Sequence, residues 1–202
     1  MTASSTARRL LGEGKLERSL LLNRQLILVA RTGNIAGVRA VLDAGADVHY
    51  SDDYALREAA QFGRAEVLRV LLEAGADVHA HGNEALRWAA ESGHTEVVRL
   101  LLAAGADVHA QNEYALRWAA VEGHTEVVRM VVNAGADVHV YNDYPLKVAA
   151  CVGHSEIVRI LLAAGAHWRN LAPRDLGDVA SFATDRHDPW LPQVLRAMIP
   201  GS

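Results

Sequence analysis

Ala104-Gly105-Ala106-Asp107-Val108-His109 is one of four identical copies, which start at Ala44, Ala74, Ala104 and Ala134. Each start lies thirty residues after the one before. A fifth copy, Ala164-Gly165-Ala166-His167-Trp168, keeps the register but loses the Asp-Val pair. Other columns share the period: Gly33, Gly63, Gly93, Gly123 and Gly153 align, as do Leu56, Leu86, Leu116 and Leu146. A fixed period of this size is the signature of a solenoid, in which small units stack because none can bury its apolar face alone.

Working outward from the hexapeptide, one unit reads as two helices. Glu113 begins a first helix whose apolar positions, Ala115, Leu116, Ala119 and Ala120, fall at helical spacing. Gly123 ends it, as glycine does at a left-handed helix terminus. Glu126 stands in the first turn of a second helix, where a negative charge suits the helix dipole. That helix carries Val127, Val128, Met130, Val131 and Val132 and ends at Ala134-Gly135. Asp137-Val138-His139 then crosses to the next unit.

Composition agrees. Hydrophobic residues make up 50% of the 202 residues but aromatics only 5%, so Ala, Leu and Val dominate and favour helix. Charged residues at 22% do not describe a solvated disordered tail. The net charge of −4 argues against a general nucleic-acid binder, which carries a basic stripe. The apolar cluster Leu20-Leu21-Leu22 is cut by Asn23-Arg24-Gln25, too short for a signal core or a membrane span. One cysteine, Cys151, allows neither an internal disulfide framework nor a cysteine-rich zinc site. The expectation is a cytoplasmic protein with no nucleic-acid or membrane partner.

The unit resembles the ankyrin repeat. The residues that carry the likeness are Tyr114-Ala115-Leu116-Arg117, Ala119-Ala120, Gly123-His124-Thr125-Glu126-Val127-Val128 and Gly135-Ala136-Asp137-Val138-His139. The family pattern runs Thr-Pro-Leu-His, Ala-Ala, Gly-His-x-Glu-Val-Val, then Gly-Ala-Asp-Val-Asn. The family unit is about 33 residues long; this one is thirty, and the shortfall lies where the family projects a β-hairpin. The resemblance therefore implies an all-α ankyrin-type solenoid of helix-turn-helix repeats with shortened inter-repeat turns. Three regions are expected: a lead-in over 1–21, five repeats over 22–170, and a degenerate capping unit over 171–202.

Several chemical motifs lose to simpler readings. The histidine columns His49, His79, His109, His139 and His94, His124, His154 suggest metal. Units stack roughly 8–10 Å apart, so one column cannot converge on one ion. Each histidine is expected to bond backbone in its own turn. His94-Thr95-Glu96 matches half of a zinc deaminase motif, but the Pro-Cys-x-x-Cys half is missing. Cys151 shares its column with Gln61, Glu91 and Val121, which is no repeated catalytic device. No enzyme, metal or cofactor is expected. Glu66, Glu96, Glu126 and Glu156 each precede an arginine by three, giving weak surface pairs. Arg57, Arg87, Arg117 and Lys147 form a second basic ladder, with Asp53, Glu113 and Asp143 four residues earlier as candidate partners for three of them.

Differences between units locate the candidate surface. Second helices are nearly uniform. Variation gathers in the turns (Tyr50-Ser51-Asp52, Ala80-His81-Gly82, Ala110-Gln111-Asn112, Val140-Tyr141-Asn142) and in the first helices, at the column Glu58, Trp88, Trp118, Val148 and at their ends. The resemblance implies that turns and first helices line the concave side. A column that accepts Glu58 should not be wholly buried, because an unpaired buried carboxylate is costly. Trp88 and Trp118 are therefore expected to be partly open, and Phe62, aligned with Ser92 and Glu122, more so. The candidate partner-binding residues are Tyr50, Arg57, Glu58, Phe62, Arg87, Trp88, Glu91, Arg117, Trp118, Glu122 and Tyr141. The reading is a monomeric protein-binding or peptide-binding module; the alternative is an inhibitor or immunity-type protein that blocks a cognate enzyme.

Overall fold

The computed structural model describes residues 3–167 and residue 169, with side chains from Lys15 onward. Ten helices follow one another among these residues, and no strand occurs among them. First helices are α1 (Ala3–Thr32), α3 (Tyr50–Gln61), α5 (Ala80–Glu91), α7 (Ala110–Glu122) and α9 (Val140–Val152). Second helices are α2 (Ile35–Asp43), α4 (Ala65–Glu73), α6 (Thr95–Ala103), α8 (Thr125–Asn133) and α10 (Ser155–Ala163). The expected lead-in is not separate: α1 crosses the 21/22 position without a break. The expected cap over 171–202 lies outside the described residues.

The two layers differ in side-chain size. First helices meet through Ala55, Ala59 and Ala60 and their copies, all buried. Second helices meet the core through larger groups, such as Val67, Leu68 and Leu71. Small residues let the first helices approach closely, and they contact one another far more densely than the second helices do. A stack tighter on one layer bends toward that layer, as curved solenoids do.

The glycine column at the end of each first helix is left-handed, with φ of +68° to +89° from Gly33 to Gly153. The next unit fits against it. An added Cβ on Gly63, Gly93 or Gly123 would meet the ring of His94, His124 or His154 at 2.5–2.7 Å. Those rings donate from Nε2 to the carbonyls of Gln61, Glu91 and Val121, at 2.9, 2.9 and 3.2 Å. The second histidine column thus bonds the preceding unit, not its own turn, because the ring lies flat under a glycine that has no side chain.

The shortened turn takes an unusual form. Ser51-Asp52-Asp53, His81-Gly82-Asn83, Gln111-Asn112-Glu113 and Tyr141-Asn142-Asp143 are each a run of three left-handed residues. Glu113 therefore closes this turn, and the right-handed helix begins after it. Left-handed backbone costs about 1–2 kcal/mol per non-glycine residue, so each run must be held by its surroundings. The third residue is buried in every turn. Its side chain meets the ring of the first-column histidine four residues earlier, as in His49–Asp53 at 3.1 Å and His109–Glu113 at 2.7 Å. It also reaches the next unit: Asp53 Oδ1 and Asn83 Oδ1 accept from the backbone N–H of Asp77 and Asp107, at 2.9 and 2.8 Å. Asn23 plays the same part toward Asp47, at 2.8 Å. The first histidine column therefore pairs with a side chain and not with the backbone expected of it, while each histidine's own N–H donates to the side chain of Asp47, Asp77, Asp107 or Asp137.

The His109 ring titrates above the ordinary histidine value, chiefly through its hydrogen bond and charge contact with Glu113. A raised folded pKa gives stability that is full below about pH 6.5, the unfolded value, and fades as pH rises through the folded value. Glu113→Gln should return the His109 titration to the ordinary range, read by imidazole proton shifts. The stability gap between wild type and variant should be larger at pH 6 than at pH 8. An unchanged His109 titration would break this pairing.

Candidate functional site

The candidate surface lies on α3, α5, α7 and α9. Each first helix places positions four apart on one face. Tyr54 and Glu58 stand in this relation, as do Glu84 and Trp88, Tyr114 and Trp118, and Tyr144 and Val148. The structure brings together Trp88, Trp118, Arg87, Arg117, Glu91 and Tyr141 from the sequence-derived set. Trp88 and Trp118 are half-buried. Tyr114 and Trp118 lie with ring centroids 5.8 Å apart. The Arg87 guanidinium sits 5.2 Å from the Tyr114 centroid, and that of Arg117 sits 5.7 Å from Tyr114 and 5.2 Å from Tyr141. Such cation–π contacts hold planar groups side by side. Tyr141 is 59% exposed. A shallow cleft between Gln61, Trp88, Glu91 and Ser92 opens beside this array.

Tyr114 is a member that the sequence reading left out of the site. Its hydroxyl donates to Glu91 at 2.8 Å. Burial, then this hydrogen bond, pushes the phenol up to about 12. Tyr144, in the same column as Tyr114, is 40% exposed. The signal for both was available: each stands one helical turn before a residue of the chosen column.

Two members of the set are not available to a partner. Arg57 is 6% exposed and Glu58 is 5% exposed. The premise that a glutamate marks an open column fails at Glu58, which is buried with an ion-pair contact and a phenol beside it although its Oε2 makes no hydrogen bond. Arg31 Nε lies 3.7 Å from Glu58 Oε2, and the Tyr54 phenol is raised by a hydrogen bond to Glu58. Arg57 bonds the buried Glu84 carboxylate and donates to the carbonyls of Asp52 and Ser51 at 3.2 and 2.8 Å. Arg117 clamps its own turn likewise, through Asn112 and Gln111 at 2.8 and 3.0 Å. The first-helix arginines therefore brace the left-handed turns. The expected pairing with Asp53 and Glu113 does not form, because those carboxylates face the histidines.

The remaining members are peripheral. Phe62 is half-buried and covered by the Arg31 guanidinium at 4.7 Å, less open than its column suggested. Tyr50 is half-buried and Glu122 is exposed. The second-helix arginines pair on the surface as the spacing implies, within units at 3.2–3.6 Å for Arg69, Arg129 and Arg159. Arg69 and Arg129 also reach the next unit's Glu96 and Glu156, at 3.8 and 3.4 Å. No helix among the described residues is long and apolar enough to cross a membrane.

A family model described as ankyrin repeats (3 copies) matches the chain over residues 26–112 and again over 109–170. Comparison with curated proteins gives no match.

Proposed function

The chain belongs to the ankyrin repeat family, whose repeats are generally protein–protein interaction modules and typically not enzymes; from that premise we propose that it is a non-enzymatic, cytoplasmic, monomeric binding module for a protein or peptide. The observation that carries this reading is the array of Trp88, Tyr114, Trp118 and Tyr141, set among Arg87 and Arg117 on the tighter, inward-bending layer. Tryptophan, tyrosine and arginine are the residues on which binding energy concentrates. Rings already held by packing lose little freedom when a partner covers them.

The test is affinity capture from the native host with wild type, Trp88→Ala and Trp118→Ala as parallel baits. A partner of this surface is retained by wild type and lost from the variants. Its measured affinity should fall by at least ~2 kcal/mol for one of them, with melting nearly unchanged. Variants that melt far lower yet bind normally when folded would assign both indoles to packing and remove the proposal. A captured enzyme that loses activity on binding would identify the module as its inhibitor.

A further inference from the structure

In four copies of the repeat, an aspartate two residues before the first-column histidine accepts that histidine's backbone N–H. The bonds from His49 to Asp47 and from His139 to Asp137 measure 3.0 and 2.8 Å. Thirty residues after Asp137 the chain carries His167 instead. The change falls beside a buried carboxylate. Across every unit boundary this position lies 24 residues after the turn's buried polar residue: Asp53 and Asp77, Asn83 and Asp107, Glu113 and Asp137, Asp143 and His167. At the last boundary, then, an imidazole replaces a carboxylate.

The consequence is a convergence that no single histidine column can produce. His139 Nδ1 lies 2.7 Å from Asp143 Oδ1, and His167 Nδ1 lies 3.7 Å from Asp143 Oδ2. The two imidazole rings lean together with centroids 4.7 Å apart. One ligand atom from each of the three residues lies within 4.8 Å of the other two. The Asp143 side chain is 2% exposed, while those of His139 and His167 are 45% and 68% exposed. The carboxylate is fixed inside and both rings face water.

We propose that His139, Asp143 and His167 form a binding site for one divalent transition-metal ion of the zinc class. Two imidazoles and one carboxylate suit zinc, nickel or copper; calcium and magnesium require sets of oxygen ligands. A tetrahedral ion with bonds near 2.0–2.1 Å needs ligand atoms about 3.3 Å apart. The three ligand atoms spread up to 4.8 Å, so reaching that spacing draws the two exposed histidine rings inward by up to about 1.5 Å. Three protein ligands leave a fourth position open on the solvent side. The site is independent of the aromatic surface and of the binding-module reading.

The other units supply internal controls. His49–Asp53 and His109–Glu113 repeat the His–carboxylate pair but face Asp77 and Asp137, so they lack the second imidazole. The experiment is calorimetric titration of the metal-stripped full chain with zinc chloride, for wild type, His167→Asp and His109→Ala. His167→Asp restores the residue found in the other copies, so its fold should be kept, and its melting is checked without metal. Wild type and His109→Ala should bind one equivalent with the same affinity, and His167→Asp should bind at least ~10-fold more weakly. With cobalt(II), wild type should give the intense visible absorption of a tetrahedral site, and His167→Asp should not. Equal zinc affinity in His167→Asp, or no stoichiometric binding to wild type by ~100 µM free zinc, would overturn the proposal.

Discussion

Gly93→Val is expected to destabilise the protein by roughly 2–5 kcal/mol, combining a β-branched residue forced into left-handed backbone with overpacking at a unit boundary. Gly93 has φ of +73°, and a Cβ there would lie 2.5 Å from the His124 ring. That ring cannot move aside freely, because its Nε2 donates to the Glu91 carbonyl at 2.9 Å. Gly105 separates the two contributions. It is equally left-handed, at φ +92°, yet nothing lies within 4 Å of its missing Cβ. Gly105→Ala should therefore lower stability by about 1–2 kcal/mol, the backbone part alone, and Gly93→Ala by visibly more. Denaturant unfolding of the three variants measures this. Equal losses for Gly93→Ala and Gly105→Ala would mean that the histidine ring does not wedge the boundary.

Arg57→Ala is expected to cost about 3–5 kcal/mol, the range found when one partner of a buried ion pair is removed. Glu84 would keep Arg87 at 3.4 Å and His81 at 3.3 Å, but it would lose its buried partner. The carbonyls of Ser51 and Asp52, held in a left-handed run, would lose their donors as well. Arg117→Ala should be milder, about 1–2 kcal/mol, because that side chain is half-exposed and its described partners are the turn carbonyls and the faces of two tyrosines. Pairing Arg57→Met with Glu84→Met should recover only part of the loss, since it removes the stranded carboxylate but takes from Arg87 its partner at 3.4 Å. Unchanged melting of Arg57→Ala would contradict the clamp and return this arginine to the candidate binding surface.

The arginines show where sequence reading reached its limit. Spacing four residues after an acidic position predicted a local pair, but spacing alone carries no backbone handedness. Once residues 51–53 wind left-handed, Asp53 is turned toward His49, and Arg57 finds carbonyl oxygens where a carboxylate was expected. The error at Glu58 has the same origin. Its carboxylate is buried between Tyr54 of its own helix and Arg31, 27 residues away in the preceding unit, and a column of aligned letters does not say which unit supplies the countercharge. The half-burial of Trp88 and Trp118 was legible from their column, whereas the contacts of Tyr114 with Glu91 and Arg87 come from the preceding unit and no spacing within one unit shows them.

The period of thirty, the two glycine columns and the apolar spacing determined the all-α solenoid, its unit boundaries and its hairpin-free turns. These features are local: each glycine sets its own dihedrals, and each apolar residue sits on a face fixed by helical pitch. The tertiary structure alone decided what lies across each boundary. Stacking brings His124 under Gly93, Asp53 to the Asp77 backbone, Glu84 to Arg57 and His167 to Asp143. Those contacts join residues 24 to 31 positions apart, and their geometry depends on how one rigid unit rotates against the next.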